Sequence, residues 1–204
     1  MKNSYLTLQQ PVQTEIIIKK SRFITSASPV DNEDEANAFI EQIRTEHSTA
    51  THNVFAYVIN EQVQRFSDDG EPSGTAGRPV LEVINRKGLS KTALVVTRYF
   101  GGIMLGAGGL VRAYSEAAVK GIETAGIVEK LLHRQLNITM DYHWIGLVKR
   151  EVENAGAKQL HIQYLQQVKM QFYLLPDAAK SLTQKLIEAT AAQINIEEGP
   201  LSYI

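Results

Sequence analysis

The chain has 204 residues, 44% of them hydrophobic and 21% charged, which is the balance of an ordinary folded protein rather than a disordered or fibrous one. It has no cysteine, so disulfides, thiolate metal sites and a cysteine nucleophile are excluded. With 21 Lys and Arg against 22 Asp and Glu, 14 against 15 over 1–130 and 7 against 7 over 131–204, neither half is basic. Any contact with nucleic acid must therefore come from a local patch.

The opening residues lack a basic segment followed by an apolar one, and no apolar run approaches the roughly 18 to 20 residues of a membrane span. A cytoplasmic protein without membrane contact is expected. TEIIIKKSRFITSASPV, from Thr14, carries β-branched residues on both sides of Lys19, Lys20 and Arg22 and reads as two strands or one bulged strand. Asp31 is placed to cap a helix whose Ala36, Phe39, Ile40 and Ile43 recur at helical spacing.

Strand-like NVFAYVI and VQRF flank Asn60-Glu61-Gln62 as a hairpin, and SDDGEPSGTAGRP at 67–79 follows as a long loop of turn formers. A helix is expected to open on Pro79 and stop near Gly88. TALVVT at 92–97 is a buried-strand pattern that runs into RYFGGIMLGAGG, and a helical stripe from Leu110 through Ala113, Tyr114, Ala117, Ala118 and Ile122 ends near Gly126. Beyond a boundary in IVEKLLHR, around 127–134, the elements follow the order β-α-β-β-α-β, the ferredoxin-like arrangement of two helices on one face of a four-stranded sheet. The expectation is an α+β chain of two domains, 1–130 and 131–204.

The richest chemistry lies in TRYFGGIMLGAGGLVRAY at 97–114. Gly101, Gly102, Gly106, Gly108 and Gly109 stand between a buried strand and a helix, where bare backbone can approach an anion; Arg98, Tyr99 and Arg112 flank them as phosphate contacts. Equally, the glycines serve a tight strand-to-helix turn and nothing more. No Gly-Lys-Ser/Thr closes the loop and its spacing misses the dinucleotide fingerprint, so no nucleotide cofactor is implied. Lys19, Lys20 and Arg22 beside Phe23 make a small basic and aromatic cluster suited to phosphate and base, or a solvated strand end.

In the 67–79 loop Asp68, Asp69 and Glu71 are weak candidates for a hard cation, with Ser73 and Thr75 adding hydroxyls, but the alternating register and closing Glu of an EF-hand are missing. Asx turns with solvated carboxylates are the simpler reading, and no metal is expected. His47 and His52, five apart, do not fit a zincin helix. His52 reads better as an RNA contact than as a catalytic base.

KKSRF at 19–23, FSDDGEPSGTAGRP at 66–79 and VVTRYFGGIMLGAGGLVRAY at 95–114 together resemble the IMPACT family, in its bacterial form with a C-terminal ferredoxin-like domain. That resemblance implies an N-terminal domain similar to the second domain of a small-subunit ribosomal protein and to domain IV of elongation factor G. It also implies a C-terminal domain similar to domain V of that factor. The function it implies is translational control, with RNA or the ribosome as partner, and a translation factor as a further partner. Two other readings stand beside it. A fold similar to GHMP-type kinases makes a nucleotide or small-molecule enzyme the alternative, against which Leu110-Val111-Arg112 replaces the serines such kinases carry. A module that binds protein rather than RNA is the third. Oligomeric state is not legible in the sequence.

Overall fold

The computed structural model describes residues 3–204. In chain order the elements are β1 (Ser4–Leu8), β2 (Val12–Ile18), β3 (Ser21–Pro29), α1 (Glu33–Glu46), β4 (His52–Val58), β5 (Gln64–Ser67), α2 (Gly77–Arg86), β6 (Thr92–Tyr99) and α3 (Ala107–Ala125). They continue as β7 (Ile127–Met140), α4 (Ile145–Asn154), β8 (Lys158–Tyr164), β9 (Val168–Leu174), α5 (Pro176–Ala189) and β10 (Asn195–Tyr203). The described residues divide into two compact units: Tyr5–Glu129, and Lys130–Ile204 with residues 3–4.

The first unit is built on an antiparallel sheet in the order β2-β3-β6-β4-β5. Alternation along its central strands explains why both faces are covered. Val54, Ala56, Leu94 and Val96 point to the face packed by α2 and α3, while Tyr57, Ala93 and Val95 point to the face packed by α1. Burying each larger aliphatic side chain contributes about 1.5–3 kcal/mol, and β6 is buried on both sides along nearly its whole length, so it reads as a continuous apolar run. Gly121 on α3 lets that helix approach β3, since a Cβ there would stand 2.5 Å from the Thr25 side chain.

In the second unit β10, β7, β9 and β8 lie side by side in that order, all antiparallel, which is the ferredoxin-like order. Its core gathers Leu136, Ile138, Met140, Val168, Met170 and Phe172 with Val148, Val152, Leu182 and Leu186 of the two helices.

Several boundaries differ from those read in the sequence. Asn32, not Asp31, caps α1, its side chain accepting from the Glu35 N–H, and Asp31 instead meets Lys91 at 2.9 Å. Helices α2 and α3 open earlier than expected, at Gly77 and Ala107, because residues with no apolar signal form their first turns. Strand β7 begins at Ile127, and β1, too short and irregular in pattern to be expected, pairs with it.

Candidate functional site

Strands β2 and β3 are joined by Lys19 and Lys20 alone, since Ile18 pairs with Ser21. A two-residue connection of this kind requires left-handed backbone at both positions, and the two lysines take φ 45° and 64°. Asn-Gly adopts that turn without strain; each L-residue held there costs roughly 1–2 kcal/mol. Both lysines are exposed, and neither forms an ion pair among the described residues.

The glycine loop lies against this turn. A Cβ on Gly101 would stand 2.1 Å from the Lys20 carbonyl group, so only glycine permits the approach. Ser21 Oγ accepts from the Gly101 N–H at 3.2 Å and from Arg98 Nη2 at 3.4 Å. Gly102 and Gly106 have positive φ, whereas Gly108 and Gly109 belong to the first turn of α3 rather than to the loop. The first helical bond runs from the Leu110 N–H to the Gly106 carbonyl, leaving the amides of Ala107, Gly108 and Gly109 at the positive end of a 19-residue helix that has no acidic residue in its first turn.

The arginines separate into distinct roles. Arg98, expected as a phosphate contact at a strand exit, is 5% exposed: its Nη1 donates to Glu71 Oε1 at 2.6 Å, and its guanidinium lies 5.4 Å from the ring centres of Phe23 and Phe100. A cation at the end of a strand buried on both faces cannot remain there without a counter-charge, and Glu71 supplies it. Arg22 is exposed but grips Glu15 through Nε and Nη2 at 3.2 and 2.8 Å and lies over Tyr99. That hydrogen bonding lowers the Glu15 carboxyl from its usual range and raises Arg22. Tyr99 in turn meets His47 Nδ1 through its hydroxyl at 3.0 Å. Arg112 is exposed, hydrogen-bonds among the described residues to the Gly108 carbonyl of its own helix, and makes no ion pair among them.

The acidic loop has its three carboxylates directed to three different tasks. Asp68 accepts from the N–H groups of Gly74, Ala76 and Gly77 and so caps α2. Asp69 accepts from the Asn53 N–H at 2.6 Å, with Arg44 at 3.6 Å. Glu71 is buried, its Oε1 shared by Arg98 and the Tyr114 hydroxyl at 2.8 Å. Burial, followed by the charge of Glu71, pushes the Tyr114 phenol far above its ordinary range, so it stays a donor. Among the described residues no three His, Asp or Glu stand together as a metal cluster. His52 holds Nδ1 2.8 Å from the Asp69 carbonyl and Nε2 3.8 Å from Glu71 Oε1.

Between the acidic and glycine loops opens a cleft of about 410 Å³, with His52, Glu71 and Arg98 beside Phe100, Met104 and Leu110. Sequence reading missed Glu71 as the partner of Arg98, and it placed Tyr114 in the apolar stripe. The available signal was Arg98 itself, a permanent charge at the end of a buried strand.

The sequence of residues 19–122 matches the Impact N-terminal domain, and residues 138–193 match a domain of unknown function, DUF1949. The IMPACT family member YvyE of Bacillus subtilis is 42% identical across 100% of this chain and 95% of the relative. The IMPACT family member YigZ of Escherichia coli is 33% identical across 98% of this chain and 97% of the relative. A crystal structure described as a hypothetical protein aligns with a TM-score of 0.66 and 32% identity over 96% of this chain and 97% of that one.

Proposed function

The chain belongs to the IMPACT family, and from that premise we propose that it acts in translational control by docking RNA phosphate, on the ribosome or on free RNA, at the end of the first unit where the lysine turn meets the glycine loop. The observation that carries this reading is the turn itself. Two unpaired lysines occupy a strained connection that Asn-Gly would make without cost, which is sensible only if their side chains are needed there. Arg112 and the amides that open α3 extend the surface, with Gly101, Gly102 and Gly106 keeping it free of side chains. The resemblance to the IMPACT family implies folds similar to the second domain of a small-subunit ribosomal protein and to domains IV and V of elongation factor G, and that analogy supports a ribosomal setting.

The test is binding of single-stranded RNA across a salt series by the wild type and by the Lys19→Ala/Lys20→Ala/Arg112→Ala variant. Each lost phosphate contact lowers the slope of log K against log salt by about 0.7, so three lower it by about 2. Unchanged affinity and slope would remove the proposed surface. Arg98 is left out of the variant because its removal attacks the fold. Sedimentation with ribosomes gives the translational arm, and an association that survives nuclease would instead assign a protein partner.

A further inference from the structure

The cleft beside the lysine turn has an apolar wall that phosphate docking leaves unused. Phe100 is 48% and Met104 83% exposed, Ile103 next to them is exposed as well, and Leu105 and Leu110 carry the surface inward. Large apolar side chains left in water along one loop mark a surface that another molecule covers, and an exposed methionine adapts its shape to what it meets. The rim of this wall is positive. Lys20 adjoins it through the close approach of Gly101, Lys19 precedes Lys20 in the same turn, and Arg112 bonds the Gly108 carbonyl next to Ala107, which lines the cleft. All three cations are exposed, and none forms an ion pair among the described residues. Glu71, the carboxylate in the cleft, is already held by Arg98 and the Tyr114 hydroxyl.

From this arrangement we infer that the cleft docks an acidic peptide segment with one large apolar anchor, phenylalanine or leucine. The anchor packs against Phe100, Met104 and Leu105, and the flanking carboxylates meet Lys19, Lys20 and Arg112. Charge selects the partner's sign: a basic segment would face three cations and a Phe100 ring backed by the Arg98 guanidinium at 5.4 Å. A neutral apolar segment would fill the wall and leave the cations without partners. RNA supplies the negative charge but carries no aliphatic group to cover Ile103 and Met104. The anchored acidic segment alone uses both the wall and its rim, in the pattern of a buried apolar anchor inside a polar ring. This inference goes beyond the RNA reading: the same cations serve phosphate there, and the apolar wall is what tells the two ligands apart.

The experiment measures fluorescence anisotropy of the full chain with a labelled, end-capped peptide holding one phenylalanine between two pairs of glutamates. Control peptides carry alanine for the phenylalanine, or glutamine for the glutamates, and oligouridine is titrated beside them. The phenylalanine peptide should bind about tenfold more tightly than the alanine one, the gain expected from burying the ring. Met104→Ser, at a site too exposed to disturb folding, should cut that advantage about threefold and leave the alanine peptide and oligouridine unchanged. Phe100→Ala should remove most of what is left, and Lys19→Ala/Lys20→Ala/Arg112→Ala should bring the acidic peptide down to the level of its glutamine version. Equal binding of the phenylalanine and alanine peptides, a glutamine version as tight as the acidic one, or an advantage that survives both wall variants overturns the docking site. Oligouridine binding weakened by Met104→Ser would assign the wall to bases and overturn it too. Oligouridine binding with no anchor advantage leaves phosphate docking standing alone, whereas an anchored peptide that binds where no oligouridine does removes the RNA reading and keeps this one.

Discussion

Replacing Arg98 by methionine would remove the guanidinium that meets Glu71 at 2.6 Å while keeping an unbranched side chain between Phe23 and Phe100. The two side chains are 6% and 3% exposed, so Glu71 would be left as a buried carboxylate with only the Tyr114 hydroxyl donating to it. Breaking a buried pair from one side costs about 3–5 kcal/mol. For a folding unit of this size each kcal/mol shifts the midpoint by about 3–5 °C, so Arg98→Met should melt some 10–20 °C below wild type. Adding Glu71→Gln removes the stranded charge and keeps an acceptor for Tyr114; the double variant should recover to within about 2 kcal/mol of wild type. Calorimetry of the full chain, together with urea unfolding, measures both. A single variant within about 1 kcal/mol of wild type, or a double variant as unstable as the two singles summed, would refute the pairing as the element that holds the acidic loop to the sheet.

Asp68→Ala strips the acceptor from three backbone N–H groups, including the start of α2, and should lower stability by about 2 kcal/mol in urea unfolding. Calcium added to the wild type should leave its melting midpoint in place, and a calcium-dependent rise lost in that variant would restore the cation reading of the 67–79 loop. The Tyr57 hydroxyl donates to Glu33 at 2.7 Å, and burial first, then that bond, push its pKa up to about 12. An unfolded tyrosine ionises near 10, so the stability held by the neutral phenol is complete below about pH 10 and is lost as pH climbs toward 12. Tyr57→Phe should therefore flatten the fall in stability across that interval, and an alkaline profile identical to wild type would contradict it.

The periodicities of β3, β4, β6 and α3 were plain in the sequence because each buries one face or both, and burial writes itself into residue order. The break at Lys19, Lys20 and Arg22 was legible as dividing two strands or bulging one, since KKSRF separates two β-branched runs. Its strain was not, because φ depends on how the flanking strands pair. Helix starts at Gly77 and Ala107 were hidden for a related reason: a first turn stabilised by Asp68 or left open at a glycine has no apolar stripe to announce it.

The site divides along the same line. The glycines, the basic cluster and the three family motifs are properties of neighbouring residues, and the sequence by itself determined them, along with the absence of thiol chemistry. Which arginine is offered to solvent and which is locked away was decided only by the tertiary structure. Arg98 meets Glu71 across 27 positions and Glu71 meets Tyr114 across 43, on a strand, a loop and a helix that converge only when the sheet is covered. The physical reason is that charge pairing inside a protein is set by desolvation: the sheet buries Arg98, and whichever carboxylate the fold brings within reach becomes its partner.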